Sequence, residues 1–479
     1  MRAVAASLVV FLSVLAAGCG GGGGGGGLAD ESGASVAPAT VPVFVSMNSD
    51  LDSEQWNTAE DLLDKFPGSD RVIAELRKSL TEEGVDYERD VKPALGDEVS
   101  IVWLDFENGG DNVVVVADAK DEAKMNELLA KGDDPPRHEQ VDGFTVIADE
   151  QAAIDRFKQA RGEETLEDNE VFTQAVEDLP TETIAQVFVN GRRATEALQG
   201  ELSGLGAASA LRNQKLEWAS VALESVSNGI RLEGHAKGAG GTVENYTPKL
   251  LSSVPAGALA VISFRGAGDQ VAGQLEQNPS LQGQLSQLEQ VLGTTLEELT
   301  KLFGGEGVLY VREAAPIPEI TLLLEHANPT DAVATVDRLV ARAGTLTSLR
   351  PTTSTVEGVT VKTLSFGNFA VSYAGFDGKL VLTTNQTAVG DIRGGLAENL
   401  TADADFEAAG ETAELGDQTA GFIYMNVRRT LELAAGFARL AGQDIPPELD
   451  ANSRPLQSFL MHASREGDET SFTGFLEIE

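Results

Sequence analysis

The feature that most constrains the fold is an internal duplication of the chain. Residues 188–196 (FVNGRRATE) recur as residues 424–432 (YMNVRRTLE), and residues 141–147 (VDGFTVI) are matched by residues 376–382 (FDGKLVL). Both pairs share an offset of about 235 residues. Segments that recur at a fixed offset indicate that one structural unit is used more than once.

Each half also opens with a strand that follows a proline. Ala37-Pro38 leads into residues 43–48 (VFVSMN), and Val254-Pro255 leads into residues 260–265 (AVISFR). The offset is here about 217 residues, so the second half carries an insertion. We place it at residues 361–373, as an extra pair of strand-like segments.

Three matches in the same order predict a tandem repeat. We assign its first unit to residues 38–240 and its second unit to residues 241–479. The linker between them is predicted at residues 237–245, where three glycines occur.

Hairpins mixed with helices determine the fold class. Each half closes with two long strand-like segments, at residues 217–226 and 230–235 in the first half and at 456–464 and 470–478 in the second. Asp142-Gly143 has the turn chemistry that favours positive φ and so predicts a further hairpin. Helical periodicity is present at residues 52–66, 69–82 and 151–160. Together these patterns predict an α+β fold with antiparallel sheets and helices on one face.

The amino terminus predicts export and a lipid anchor. Met1-Arg2 is followed by a nearly continuous apolar run at residues 3–17, shorter than the roughly 20 residues that a membrane-spanning helix needs. The run ends in Leu15-Ala16-Ala17-Gly18-Cys19, which is similar to the bacterial lipobox, although Leu15 lies one place further from the cysteine than usual. We therefore predict a signal peptide at residues 1–18 and lipid on Cys19.

Cysteine usage favours the same interpretation. Cys19 is the only cysteine of the chain, so an intramolecular disulfide is excluded. The alternative is an incidental thiol in an ordinary signal sequence. A diacylglyceryl group on Cys19 would supply the two acyl chains that stable membrane attachment requires.

Residues 19–37 predict a flexible tether between the lipid and the folded body. An unbroken glycine run occupies residues 20–27, and glycine loses the most backbone entropy on ordering. A flexible chain of about 18 residues has a root-mean-square reach of about 25 Å. We therefore expect the protein on the extracytoplasmic face of the cell membrane, with its body clear of the headgroups.

The charge of the chain excludes one class of partner. Asp and Glu number 75 and Lys and Arg 35, for a net charge of -40. Phosphate backbones repel such a body, so we expect no nucleic-acid partner. Anionic headgroups repel it as well. A binder of cations or basic partners is one explanation of this charge, and a solvated surface that keeps the protein soluble is favoured.

Several motifs carry a resemblance to a known family. They are the lipobox with its polyglycine tether, Asn48-Ser49-Asp50 after the first strand, Glu54-Gln55-Trp56, and Phe66-Pro67-Gly68. With these motifs the chain resembles a family of bacterial surface lipoproteins described as domain of unknown function 3352. The resemblance spans the mature chain and implies no known reaction.

No catalytic constellation is present, and we expect neither enzymatic activity, nor a cofactor, nor a metal. The four histidines lack metal-ligand spacing and are expected in structural or surface roles: His138, His235, His326 and His462. Residues 48–54 place oxygens at alternate positions, as a calcium loop does. Ser53 occupies the place of the loop glycine and Ala59 that of the closing glutamate, so helix capping is favoured.

Two equivalent arginine pairs remain open to interpretation. Arg192-Arg193 and Arg428-Arg429 could recognise an anionic ligand or could pair with the surplus carboxylates, and the second interpretation is favoured. Asn190 and Asn426 beside them fit a helix-capping role. Two glycine-led acidic segments are predicted as turns before strands: Gly96-Asp97-Glu98 and Gly304-Gly305-Glu306.

Three functions compete at this point. The first is a non-catalytic, lipid-anchored envelope protein with a binding or interaction role. The second is a ligand or lipid carrier associated with a transporter, which predicts a cleft between the halves. The third is an extracellular hydrolase, which requires two carboxylates that converge in a cleft with separated pKa values.

Overall fold

A computed structural model describes most of the chain. It covers residues 32–479 except 72–73, 75–77, 79–83, 107–111, 132–134, 163, 202–215, 239–243, 270–271, 273–288, 290–292, 316, 348–349, 368, 441 and 444. The predicted signal peptide with Cys19, and most of the helix predicted at residues 69–82, lie outside the described residues.

The strands of the described residues form a single antiparallel sheet. In the first repeat they are β1 (Val43–Asn48), β2 (Leu95–Trp103), β3 (Val113–Ala119), β4 (Arg137–Val141), β5 (Phe144–Ala148), β6 (Ala185–Asn190), β7 (Trp218–Val226) and β8 (Gly229–Lys237). In the second they are β9 (Ala258–Arg265), β10 (Glu306–Arg312), β11 (Glu319–Glu325), β12 (Thr352–Val356), β13 (Val359–Phe366), β14 (Phe369–Phe376), β15 (Lys379–Thr383), β16 (Gly421–Asn426), β17 (Leu456–Glu466) and β18 (Glu469–Ile478).

Helices connect these strands. In the first repeat they are α1 (Glu54–Leu63), α2 (Glu122–Leu129), α3 (Gln151–Ala160), α4 (Glu170–Val176) and α5 (Gly191–Glu201). In the second they are α6 (Leu296–Leu302), α7 (Pro329–Thr347), α8 (Thr387–Gly394), α9 (Ala404–Thr412), α10 (Val427–Leu440) and α11 (Pro447–Ser453). A short 3-10 helix precedes the first strand of each repeat, at Gly33–Ser35 and at Lys249–Ser253.

The strand order shows the duplication directly. The first repeat runs β4-β5-β3-β2-β1-β6-β7-β8, and the second runs β14-β15-β11-β10-β9-β16-β17-β18 in the same pattern. The pairing registers make Phe44 equivalent to Val261 and Phe188 equivalent to Tyr424. These are the offsets near 217 and 235 that the sequence predicts, so the tandem α+β repeat is confirmed.

The insertion in the second repeat is a hairpin, and its predicted position needs correction. The extra strands are β12 and β13, which extend the sheet beyond β14. The insertion therefore begins at Thr352, earlier than the predicted residues 361–373. The prediction was displaced because β13 and β14 have the same alternating pattern, so that the sequence alone does not show which strand is the additional one.

The two repeats join through the pairing of β8 with β18. Gly229 lies opposite Glu477, and Lys237 lies opposite Glu469. The hairpin registers make Gly229 equivalent to Glu469 and Lys237 equivalent to Glu477. Exchanging the repeats therefore maps the junction onto itself, as in the isologous interface of a symmetric dimer.

Helices cover both faces of the sheet, which corrects the prediction that they lie on one face. In β3, Val114 and Val116 pack with Phe157 of α3 and Phe172 of α4 in one hydrophobic cluster. The alternate residues of the strand pack in a second cluster with Trp56 of α1 and Met125 of α2, together with Val115 and Ala117. Successive side chains of a strand point to opposite faces, so an unbroken run of apolar residues requires cover on both.

The predicted Asp-Gly hairpin is present in both repeats. Asp142 and Asp377 have φ of 45° and 44°, and Gly143 and Gly378 follow them with φ of 91° and 74°. Two consecutive positive φ angles match the right-handed twist of the flanking strands. The turns connect β4 with β5 and β14 with β15.

Candidate functional site

The end of the predicted tether belongs to the folded body. Ala34, Val36 and Ala37 are 1%, 2% and 0% exposed and pack in the core of the first repeat. The predicted tether boundary at Ala37 is therefore wrong, because the first repeat already includes residues from Ser32 onwards. These residues were assigned to the tether because small residues resemble a linker in sequence, although they also fit a tightly packed core.

A glutamate of β2 holds this segment in place. The Glu98 carboxylate accepts hydrogen bonds from the Gly33 backbone N–H at 3.0 Å and from the Ser100 hydroxyl at 2.6 Å. Gly33 begins the 3-10 helix, so the carboxylate satisfies a backbone donor at a helix start. The sequence predicts Glu98 in a turn before a strand, whereas the structure places it within β2.

The second repeat contains the same arrangement. Glu306 of β10 is 2% exposed and accepts backbone hydrogen bonds from Lys249 at 3.1 Å and Leu250 at 2.7 Å. Leu250 follows Gly33 by the same offset that relates β9 to β1, and register makes Glu306 the equivalent of Glu98. One carboxylate per repeat, partly buried at Glu98 and buried at Glu306, therefore fastens the entering chain to the sheet.

Electrostatics support this structural role. Burial raises the pKa of Glu98 and of Glu306, and the hydrogen bonds that each carboxylate accepts oppose the rise. A second acid lies near each of them, Asp118 beside Glu98 and Glu325 beside Glu306, and this negative charge adds to the rise in pKa. Paired acids can mark catalytic sites, but here backbone N–H groups of the same chain donate to Glu98, Glu306 and Glu325.

The candidate calcium loop forms a cap. The Asn48 side chain accepts a hydrogen bond from the Asp50 N–H at 2.9 Å, and the Asp50 carboxylate accepts one from the Asp52 N–H at 3.0 Å. Ser53 is the N-cap of α1 and accepts from the Trp56 N–H. The Asp52 carboxylate pairs with Lys92 at 2.8 Å.

A small polar cavity lies beside this cap. Its volume is about 20 Å³, and its walls include Ser49, Asp50, Tyr87, Lys92 and Lys120. That volume holds one water molecule and excludes an organic ligand. Burial raises the pKa of Asp50.

The two arginine pairs occupy equivalent helix starts. Asn190 and Asn426 accept hydrogen bonds from the backbone N–H groups of Arg193 at 3.1 Å and Arg429 at 3.0 Å, as expected of helix caps. Arg193 makes a loose pair with Glu196 at 3.5 Å. No ion pair of Arg192, Arg428 or Arg429 occurs among the described residues, so the favoured pairing with carboxylates applies to Arg193 alone.

A buried ion pair is present in the second repeat that sequence reasoning missed. Glu319 is 0% exposed, and its carboxylate accepts hydrogen bonds from Arg312 at 2.9 Å, Asn385 at 2.9 Å and Tyr310 at 3.1 Å. Arg312 also reaches Asp391 of α8 at 2.7 Å. The network ties a hairpin end to a helix and leaves no carboxylate oxygen without a donor.

The histidines are scattered in space as they are in sequence. Each contacts a different neighbour: His138 the Asn126 side chain, His235 the Ser471 hydroxyl, His326 the Asn328 backbone, and His462 the Ala413 carbonyl. Within residues 32–479, less the gaps given above, no three His, Cys, Asp or Glu side chains are placed to hold a metal ion.

The junction between the repeats is hydrogen-bonded strand pairing. Beyond β8 and β18, the Lys65 ammonium donates to the Ile478 carbonyl at 2.8 Å, and the Gly68 N–H donates to Asn452 of α11 at 2.7 Å. The loop after α1 therefore crosses from the first repeat to the second. These contacts occupy the position where a carrier would have its cleft.

The fold defines the class of protein as a tandemly repeated α+β protein with one continuous antiparallel sheet. The chain matches the family described as "Protein of unknown function (DUF3352)" over residues 3–142 and 130–477. The protein therefore belongs to this family, and the predicted family membership is confirmed, while the lipoprotein assignment stays a prediction.

Two solved structures of TP0453 are similar to part of the chain. Crystal form IV has 14% identity and a TM-score of 0.25, with 47% of this chain and 79% of that chain covered. Crystal form I has 13% identity and a TM-score of 0.24, with 48% and 90% covered. At these values the likeness supports no functional argument. No curated protein matches the chain.

Among the helices of the described residues, none combines the length and the hydropathy needed to cross a bilayer.

Proposed function

We propose that this protein is a non-catalytic, lipid-anchored component of the cell envelope whose repeated sheet serves as an interaction surface. The observation that carries the proposal is the use of the buried acids. Glu98, Glu306 and Glu319 each accept hydrogen bonds from their own repeat. Groups used in this way stabilise the fold and are not positioned to act on a substrate.

The amino terminus supports the lipid anchor. The segment that ends at Cys19 is similar to a lipobox, and glycine fills the eight positions that follow it. The described body begins at Ser32, 13 residues after Cys19, and a flexible glycine-rich chain of that length would reach roughly 20 Å. That reach holds the body close to the membrane surface without fixing its orientation.

The two other functions have less support. A carrier needs an enclosed volume of roughly 300 Å³ or more for a small ligand. We expected such a cleft at the junction between the repeats, where β8 instead pairs with β18. A carboxylate hydrolase needs two acids that face a cleft. The pairs Glu98 with Asp118 and Glu306 with Glu325 lie instead beneath the 3-10 helices at which each repeat begins.

The anchor is tested by Cys19→Ser, with Gly20→Ser as the matched control. We expect the wild type and Gly20→Ser to incorporate labelled palmitate and to enter the detergent phase on Triton X-114 partitioning. Cys19→Ser should lose the label. Label retained by Cys19→Ser would contradict the anchor.

The interaction role is tested by chemical cross-linking on intact cells that carry the wild-type protein, followed by mass spectrometry. We expect recurrent cross-links from lysines of the folded body to a defined set of envelope components. Cross-links confined to the chain itself would contradict the interaction role.

A further inference from the structure

The sheet of the described residues ends in two terminal strands, β4 in the first repeat and β12 in the second. Strand β4 pairs with β5 alone, and strand β12 pairs with β13 alone. Each therefore leaves one row of backbone N–H and C=O groups open to another strand. Proteins usually protect such an edge with charged side chains or proline, because it is a template for pairing with a second chain.

Strand β4 has the usual protection. It includes Arg137, His138 and Glu139, and Pro135-Pro136 precede it. Glu139 is fixed in an ion pair with Lys158 of α3 at 2.6 Å. Charge and proline at this end of the sheet disfavour pairing with a second strand.

Strand β12 has none of these devices. Residues 352–356 (TTSTV) contain neither charge nor proline, and four of the five are exposed. Threonine and valine favour the strand conformation. Helix α8 packs beside the strand, and the Gln386 side chain at the start of this helix donates a hydrogen bond to the Ser354 hydroxyl. The strand is thus held in an extended conformation, which lowers the entropic cost of binding another strand.

The strands around this edge carry little charge. Strands β12, β13 and β14 contain no acidic residue, and their one charged residue, Lys362, pairs with Asp337 at 2.5 Å. The whole chain has a net charge of -40, so two copies repel each other when their acidic surfaces meet. A contact through β12 brings uncharged strands together and avoids this repulsion.

The residues that flank β12 have opposite charges. Arg350 precedes the strand and Glu357 follows it; both are exposed, and neither forms an ion pair among the described residues. Antiparallel pairing of two β12 strands about Ser354 places residue 351 of one copy opposite residue 357 of the other. Arg350 of each copy then lies beside Glu357 of the other copy. This complementarity occurs twice across the two-fold axis and favours a second copy of the chain as the partner.

The molecule already contains a contact of this kind. At the junction of the repeats, β8 and β18 pair antiparallel about a local two-fold axis, and Lys237 lies opposite Glu469. The sheet therefore continues across a symmetric edge within one chain. The same geometry at β12 would continue it from one molecule to the next.

We infer that β12 is a dimerisation edge, at which β12 of one copy pairs antiparallel with β12 of a second copy. The inference rests on the proposed interaction role, for which it names a partner, and does not depend on the lipid anchor. The two-fold axis between two antiparallel strands is perpendicular to the sheet, so equivalent faces of the two copies lie on the same side. Both amino termini then leave the dimer on one side, as attachment to a single membrane requires.

The first test measures self-association of the full chain in detergent by sedimentation equilibrium. Ser354 lies at the axis, so Ser354→Asp sets two carboxylates opposite each other, whereas Ser354→Asn has the same shape without the charge. Like charges directly opposite in a strand pair are destabilising. We expect a reversible dimer of the wild type and of Ser354→Asn, and a Kd that is higher by about tenfold or more for Ser354→Asp. Gln140→Glu on β4 adds a charge at the opposite edge and should leave the Kd unchanged.

Reversal of the flanking charges tests the register of the pairing. Arg350→Glu alone and Glu357→Lys alone each place like charges beside each other and should raise the Kd by about tenfold. The double variant restores opposite charges and should return the Kd to within about threefold of the wild type. Losses that add in the double variant would overturn the inference, since recovery requires residue 350 of one copy to meet residue 357 of the other.

Two further outcomes would overturn the inference. One is a wild type that stays monomeric up to about 0.1 mM. The other is an equal Kd for Ser354→Asp and Ser354→Asn, which would indicate a contact elsewhere or two copies that share a micelle. Cross-linking on intact cells distinguishes this failure from that of the proposed function. A monomeric wild type that still cross-links to other envelope components would retain the interaction role and overturn the second copy as partner.

Discussion

The two repeats attach equivalent helices to the sheet with ion pairs of opposite polarity. In the first repeat Arg156 of α3 pairs with Asp105 after β2 at 2.6 Å. In the second, Asp391 of α8 pairs with Arg312 at the end of β10 at 2.7 Å. Register makes Arg156 the equivalent of Asp391. The helix position is thus basic in one repeat and acidic in the other, and each pairs with a strand-end residue of opposite charge.

A second difference concerns which surface is left exposed. Val45, Val187 and Val189 of the first repeat are partly buried, whereas the equivalent Ile262, Ile423 and Met425 of the second repeat are 39%, 38% and 36% exposed. The buried glutamates that hold the entering chain are the same in both. The features that both repeats share therefore stabilise the unit, and the features of one repeat alone are the candidates for function.

The largest expected effect separates the two ion pairs. Arg312→Ala leaves Glu319, which is 0% exposed, without its cation and should lower the free energy of unfolding by about 3 kcal/mol. Arg156→Ala breaks a pair whose side chains are 44% and 24% exposed and should cost less than about 1 kcal/mol. Urea denaturation of both variants measures this, and equal losses would contradict a difference in burial between the pairs.

A smaller effect depends on pH. Burial raises the folded-state pKa of Glu98 and Glu306 above 4.5, so the native chain holds their protons more tightly than the unfolded chain does. Their stabilising contribution is full below pH 4.5 and is lost as the pH rises through the raised pKa. A pKa that differs by one between the folded and unfolded chain changes the free energy of unfolding by about 1.4 kcal/mol.

The variants Glu98→Gln and Glu306→Gln remove this titration. The stability of the wild type relative to the double variant should therefore fall as the pH rises above about 4.5. Denaturation curves at several pH values measure the difference. A difference that rises with pH would show that the carboxylates have lowered pKa values in the native state.

The helix caps should give the smallest effect of the three. Asn190→Ala removes the cap of α5 and should cost about 1 kcal/mol. Asn426→Ala should cost more, because Asn426 is 4% exposed and also donates to Asp405 at 2.8 Å. Thermal unfolding of both variants tests this order. Equal losses of stability would contradict the larger role assigned to Asn426.

Local patterns were sufficient to predict the repeat and its hairpins. The Asp-Gly turns, the Asn caps and the closing strand pairs depend on residues that are neighbours in sequence, so their signals survive duplication. Sequence similarity at two offsets also predicted an insertion. Its location was missed because neighbouring strands of one sheet have the same alternation.

Features that depend on distant contacts could not be predicted. Glu98 meets Gly33 across 65 residues, and Glu306 meets Leu250 across 56. Glycines lie close before each glutamate in the sequence, and such a segment has the composition of a surface turn. The recurrence of a glutamate after Gly96 and after Gly305, at equivalent places in both halves, was the available signal of a shared role. The Arg312–Glu319 pair has no counterpart that would have indicated it.

The proposed function depends on lipid attached to Cys19, which would hold the repeated body at the membrane. Mass spectrometry of the mature amino-terminal peptide tests this attachment. We expect a peptide that begins at Cys19 and carries the added mass of a diacylglyceryl group. A peptide with a free Cys19 thiol, or one that begins at any other residue, would contradict it.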